Sequence, residues 1–149
     1  MSLCIVSREA SVEDCVEAAR CMWYQQEFPS KHMSRVVYER IAIRQIEGTP
    51  ALIAMHTDGA DTFAVGWLSY DTDWDLHFPG RGATVYNLVV DRYFPEALPA
   101  LMRAFRKIIR ADQCEWYQIT KRIDECNLTS TFKRLPALSV QEAPCGQED

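Results

Sequence analysis

"VVDRYFPEALPALMRAF", residues 89–105, holds the junction that decides the fold. Its first residues end an apolar, β-branched run, "ATVYNLVV" (83–90), of the kind that forms a buried strand. Beyond it, Leu98, Leu101, Met102, Phe105, Ile108 and Ile109 recur at helical spacing, which predicts a helix over 97–111. Pro95 and Pro99 suit a helix start, because the leading N–H groups of a helix have no partner within it. "EWYQITKRI" (115–123) reads as the next strand. The three segments form a β-α-β crossover, so the two strands are parallel neighbours or near neighbours.

Upstream, a short strand (Leu3 to Val6) leads to Ser11, which caps a helix with Asp14 three residues on. Val12, Cys15, Val16, Ala19, Met22 and Trp23 give that helix its apolar face. A second helix starts at Ser34 and stops at Gly48. Asp58-Gly59 separates two β-rich runs and marks a hairpin. "YDTDWDLHFPGRG" (70–82) reads as a polar and aromatic loop. Downstream, the sequence predicts a short helix around Asn127 to Arg134, a weak strand near Ala137 to Val140 and a polar tail from about 141 to 149. The order is β-α-α-β-β-β-α-β-α-β in one domain over 1–149, without repeats or linkers.

A formal charge of −5 excludes sequence-independent nucleic-acid binding, which needs a concentrated basic face. Arg103, Arg106, Lys107 and Arg110 are spaced as the wet side of one helix. No apolar run approaches a membrane span, and the first residues hold no signal-peptide core. Six cysteines and three histidines are scattered without a metal spacing, so no metal site is expected. These features predict an intracellular, cytoplasmic protein with reduced thiols.

The order of elements, with certain residues in place, resembles the GCN5-related N-acetyltransferase (GNAT) superfamily. Arg8, Ala10 and Asp14 fill the opening pattern of that family. Val90, Asp91 and Arg92 stand where its fourth strand ends in valine, a spacer and proline. Asn127, Phe132, Arg134, Leu135 and Pro136 stand in its closing segment. The resemblance covers residues 3 to about 140 and is nearest to divergent GNAT-like proteins of tailed bacteriophages, some of them virion components. It implies an α/β (α+β), three-layer fold. The central sheet is mixed and mostly antiparallel, with one parallel strand pair and helices on both faces.

The resemblance also implies an acyl-CoA held in a gap between the fourth and fifth strands. Its pyrophosphate would lie on the turn after the fourth strand, in a pattern of Arg/Gln-x-x-Gly-x-Gly/Ala. Overlaying that pattern puts Pro95 at the Arg/Gln place and Leu98 and Ala100 at the glycines, with Glu96 in the spacer. Leu88 and Val90 are the strand residues beside the cofactor. Prolines supply no N–H, and Glu96 adds negative charge where a diphosphate belongs. No catalytic residue stands out, because Phe132 occupies the place of the tyrosine that protonates the leaving thiolate in this family. Tyr70, Tyr86 or Tyr117 are possible substitutes, and Glu39, Asp71, Asp73 and Asp75 are the carboxylates able to reach a cleft.

Two readings follow. In the first, the chain no longer transfers acyl groups and needs no cofactor. It is then an interaction or structural component, in the host cytoplasm and virion if phage-encoded. Tyr70, Trp74 and Phe78 would anchor a protein partner or a second copy. In the second, it is an active N-acyltransferase using acetyl-CoA or another acyl-CoA on a cationic amine. A gap between Leu88–Val90 and Ile119 that holds another small ligand is a third option.

Overall fold

The computed structural model describes residues 2–25, 33–74, 79–122 and 128–136. The chain begins with β1 (Ser2–Glu9), α1 (Val12–Gln25) and α2 (Arg35–Ile46). It continues through β2 (Pro50–Asp58), β3 (Asp61–Trp74), β4 (Arg81–Val90), α3 (Ala97–Ala111), β5 (Cys114–Arg122) and β6 (Leu128–Arg134). The strands form one six-stranded sheet in sequence order, antiparallel throughout except for the parallel pair β4–β5. That parallel pair follows from the α3 crossover read in the sequence.

The capping signals act as expected. Ser11 Oγ accepts from the Asp14 N–H at 3.1 Å, and Asp14 Oδ2 accepts from the Ser11 N–H at 3.0 Å. Arg8 donates to the same carboxylate at 2.7 Å, so strand β1 and helix α1 are joined at their shared corner. Ser34 caps α2 by accepting from the Val37 N–H. Gly59 has φ 62°, the left-handed conformation that a two-residue hairpin demands, and Asp58 pairs with Asp61 across it.

α3 lies on one sheet face with Leu101, Phe105 and Ile109 fully buried against Leu52, Leu68 and Tyr70. Burying each of those three side chains is worth roughly 1.5–3 kcal/mol. Phe105 meets Tyr70 and Tyr117 edge-on, with centroids 5.3 and 5.5 Å away. α1 covers the opposite face, placing Ala18 against Ile53, Trp67 and Val89, while Cys15 and Ala19 pack with Ala42 and Ile46 of α2. The result is the expected three-layer fold.

Four expectations are corrected. The segment around Asn127 to Arg134 is a strand from Leu128 on, because Thr129, Thr131 and Phe132 pair with β5 and Thr120 Oγ1 lies 2.9 Å from Ser130 Oγ. Tyr70 to Trp74 continue β3 and pair with β4 as far as Trp74↔Arg81, so the predicted loop is shorter. Leu98 is 43% exposed, since α3 turns Ala97 and Leu101 inward instead. Val12, at 47% exposed, likewise lies off the buried face of α1. The weak strand near Ala137 to Val140 and the tail 141–149 lie outside the described residues.

Candidate functional site

The parallel pairing of β4 with β5 is short. Among the described residues it joins Arg81–Val85 to Cys114–Ile119 and goes no further, so Tyr86–Val90 have β3 on one side and no described strand paired on the other. The parting has a local cause. Ser69 pairs with Asn87 and Tyr70 with Val85, which makes Tyr86 the extra residue of a β-bulge. A bulge bends its strand and disrupts pairing. Tyr86 is 55% exposed at that point.

Beyond the bulge, Asp91 gives its N–H to the Val65 carbonyl at 2.8 Å, so it faces β3. Alternation then turns the peptide groups of Leu88 and Val90 toward the open side. The Val90 carbonyl is met there by the Gln25 side chain at 3.0 Å. The side chains of Leu88 and Val90 are half-buried against the α3 core.

Four N–H groups of the turn that follows are spent within it. Tyr93 donates to Asp91 Oδ1 at 2.9 Å and Phe94 to the Asp91 carbonyl at 2.9 Å. Ala97 donates to the Phe94 carbonyl at 3.0 Å and Leu98 to the Pro95 carbonyl at 3.2 Å. Pro95 and Pro99 have none to give. Glu96 takes the N-cap position of α3 without a capping bond from its side chain. Its carboxylate is therefore at the positive end of the helix, where an anion would otherwise be stabilised. Pro95, Glu96 and Leu98 are exposed, and Ala100 is partly so.

Solved structures share this architecture. The PaiA N-acetyltransferase from Thermoplasma acidophilum, in complex with coenzyme A, superposes with a TM-score of 0.58 at 15% identity, over 85% of this chain and 83% of that one. The fold is GNAT-like. The ribosomal-protein-S18-alanine N-acetyltransferase from Escherichia coli gives a TM-score of 0.53 at 15% identity, covering 83% of this chain and 70% of that one. Ard1 from Thermoplasma volcanium gives 0.51 at 17% identity, over 82% and 74%. No family model matches the sequence, and no curated protein matches it.

On this GNAT-like frame the candidate catalytic groups are dispersed. Tyr70 and Tyr117 are buried under α3, 7% and 4% exposed, and burial raises the Tyr70 hydroxyl above its usual pKa. Phe132 sits on β6 with its ring 5.8 Å from that of Trp116, so its comparison with a tyrosine on a final helix does not hold. Asp71 and Asp73 flank the far end of β4, opposite Thr84 and Gly82, and accept from the following Thr72 and Trp74 N–H groups. Glu39 is held by Arg20 at 3.0 Å and Arg35 at 3.6 Å. Tyr86 alone of the tyrosine candidates stands where the strands part. Asp75 lies outside the described residues.

The three proposed partner anchors also separate. Tyr70 belongs to the core, which corrects its assignment to an exposed surface; Trp74 is 72% exposed; Phe78 lies outside the described residues. Among the described residues no His, Cys, Asp or Glu group is arranged to hold a metal, and no helix is long and apolar enough to cross a membrane. Gln25 was not among the candidates. Its partner is 65 residues away, and no local pattern announces such a contact.

Proposed function

We propose that this chain is a GNAT-fold protein that works by binding rather than by acyl transfer from CoA, as an interaction or structural component. The carrying observation is the turn after β4, where the N–H groups of Tyr93, Phe94, Ala97 and Leu98 are engaged internally and Pro95 and Pro99 have none. A pyrophosphate would have to displace those bonds and lie beside Glu96. Exposed Trp74 supplies one anchor for a protein partner or a second copy. A virion component is the specific role that the sequence resemblance implies. Calorimetric titration with acetyl-CoA tests the proposal: no heat at millimolar cofactor supports it, and micromolar affinity overturns it.

One observation favours a second reading. The strands part at the Tyr86 bulge, which leaves the backbone of β4 open on one side. An acyl-CoA-dependent N-acyltransferase acting on a cationic amine would use that opening, with Tyr86 beside the thioester. Incubation with acetyl-CoA and a polyamine, read by mass spectrometry, would give an acetylated product only under this reading.

A further inference from the structure

A cleft of about 460 Å³ opens on the α1 side of the sheet, and none of its lining residues belongs to α3 or β5. It meets the open side of β4 only at Gln25, the residue that donates to the Val90 carbonyl. Its size is that of a small-molecule site. Four aromatic rings line it. Tyr24, Phe63 and Tyr93 are 71%, 42% and 73% exposed, while Trp67 is buried with its Nε1 donor unpartnered. Aromatic rings gathered in the open around one cleft are unusual for a surface that meets only water.

The cleft is lined by two carboxylates and two guanidinium groups, which are not paired with one another among the described residues. Glu17 and Asp91 line the cleft, and neither forms an ion pair among the described residues. Burial, with Glu13 and Asp14 nearby, raises the Glu17 carboxyl above its usual pKa. The two arginines of the cleft are already engaged. Arg20 Nε is 3.0 Å from Glu39, and Arg92 lies 4.9 Å over the Tyr93 ring and donates to its hydroxyl at 3.0 Å. Arg20 and Arg8 act on Glu17 from a distance, but no guanidinium forms an ion pair with Glu17 or Asp91 among the described residues. Carboxylates beside aromatic faces are the combination that attracts an organic cation.

We propose that this cleft binds a small organic cation, an ammonium group carrying an apolar body. The charge lies toward Asp91 and Glu17, and the body rests on Tyr24, Trp67 and Tyr93. The inference is independent of the acyl-CoA reading, since no residue of Pro95–Ala100 lines the cleft. A quaternary ammonium ion has no N–H to acylate, so it tests binding alone.

The experiment is a calorimetric titration of the full chain with choline and, in parallel, with 3,3-dimethylbutan-1-ol, the neutral compound of the same shape. Choline is expected to bind saturably and at least about tenfold more tightly than the alcohol. Tyr24→Ala and Asp91→Asn are each expected to weaken choline by about tenfold, while Tyr24→Phe, which keeps the ring, retains it. Asp91→Asn keeps the oxygen that accepts from the Tyr93 N–H, and thermal unfolding of each variant checks that the fold survives. No choline binding at millimolar concentration, equal affinity for the two compounds, or full affinity in both the Tyr24→Ala and Asp91→Asn variants overturns the proposal.

Discussion

Arg8 and Asp14 close the corner between the first strand and the first helix with a 2.7 Å contact, the carboxylate buried and the guanidinium half exposed. Burial alone would raise the Asp14 carboxyl; hydrogen bonds from Arg8 and Ser11 outweigh it and hold the pKa below the usual carboxylate value. The folded-state pKa is depressed, so the stabilisation is complete above the unfolded-chain value and is lost as pH falls through the folded one. Asp14→Asn is expected to cost about 1–2 kcal/mol at neutral pH, because the partner is partly solvated. In urea melts, the difference between the native chain and this variant should shrink as pH drops below about 4.

The turn after β4 is open to a gain-of-function test. Pro95→Arg and Leu98→Gly together complete the family pattern, whose last place Ala100 already fills. The glycine should cost up to about 1 kcal/mol at the start of α3. If the residues now in this turn exclude the cofactor, acetyl-CoA affinity measured by calorimetry should rise by at least about tenfold. Unchanged affinity would place the obstacle elsewhere.

Phe105 is the largest fully buried side chain and wedges between Tyr70 and Tyr117. Phe105→Ala should destabilise by about 3–5 kcal/mol, read as a lower denaturation midpoint with an unchanged slope.

Gly82 has no room for a side chain, since a Cβ there would collide with the Trp116 ring. Gly82→Ala should cost about 1–3 kcal/mol by overpacking the β4–β5 junction. Gly59 has open space around it, but its φ of 62° makes Gly59→Val unfavourable for a backbone reason instead. Thermal melts of the two variants, with tryptophan fluorescence as a second probe, separate these causes: only Gly82→Ala should disturb the indole environment.

Thiol reactivity should divide the cysteines. Burial, then Asp14 and Glu47, pushes the Cys15 thiol up to about 11, whereas Cys4 is exposed on β1. At pH 8, iodoacetamide followed by peptide mapping should label Cys4 in the native protein while Cys15 stays unmodified until the chain unfolds.

What the sequence revealed depended on the range of the signal. The Ser11–Asp14 box, the Asp58-Gly59 hairpin and the helix from Ala97 are each set within a few residues, and all formed as read. "LTSTFKR" (128–134) is a strand where its letters suggest helix, because its strand character comes from pairing with β5 rather than from any local pattern. Asp71 and Asp73 are poor strand formers by propensity, yet they continue β3 because β4 lies alongside to pair with them. The site divided in the same way. The prolines and the absence of glycine at 95–100 are visible in the letters. The Tyr86 bulge and the Gln25–Val90 contact exist only once strands and helix are assembled.

The bulge at Tyr86 and the turn beyond it can vary independently. The wedge between β4 and β5 comes from one additional residue counted into a strand, whereas phosphate holding depends on side chains and amides in the turn beyond it. Two separate stretches therefore govern the two properties, and substitutions in one leave the other intact. The opening between the strands can persist whatever the chemistry of the turn, and the turn can change without closing it.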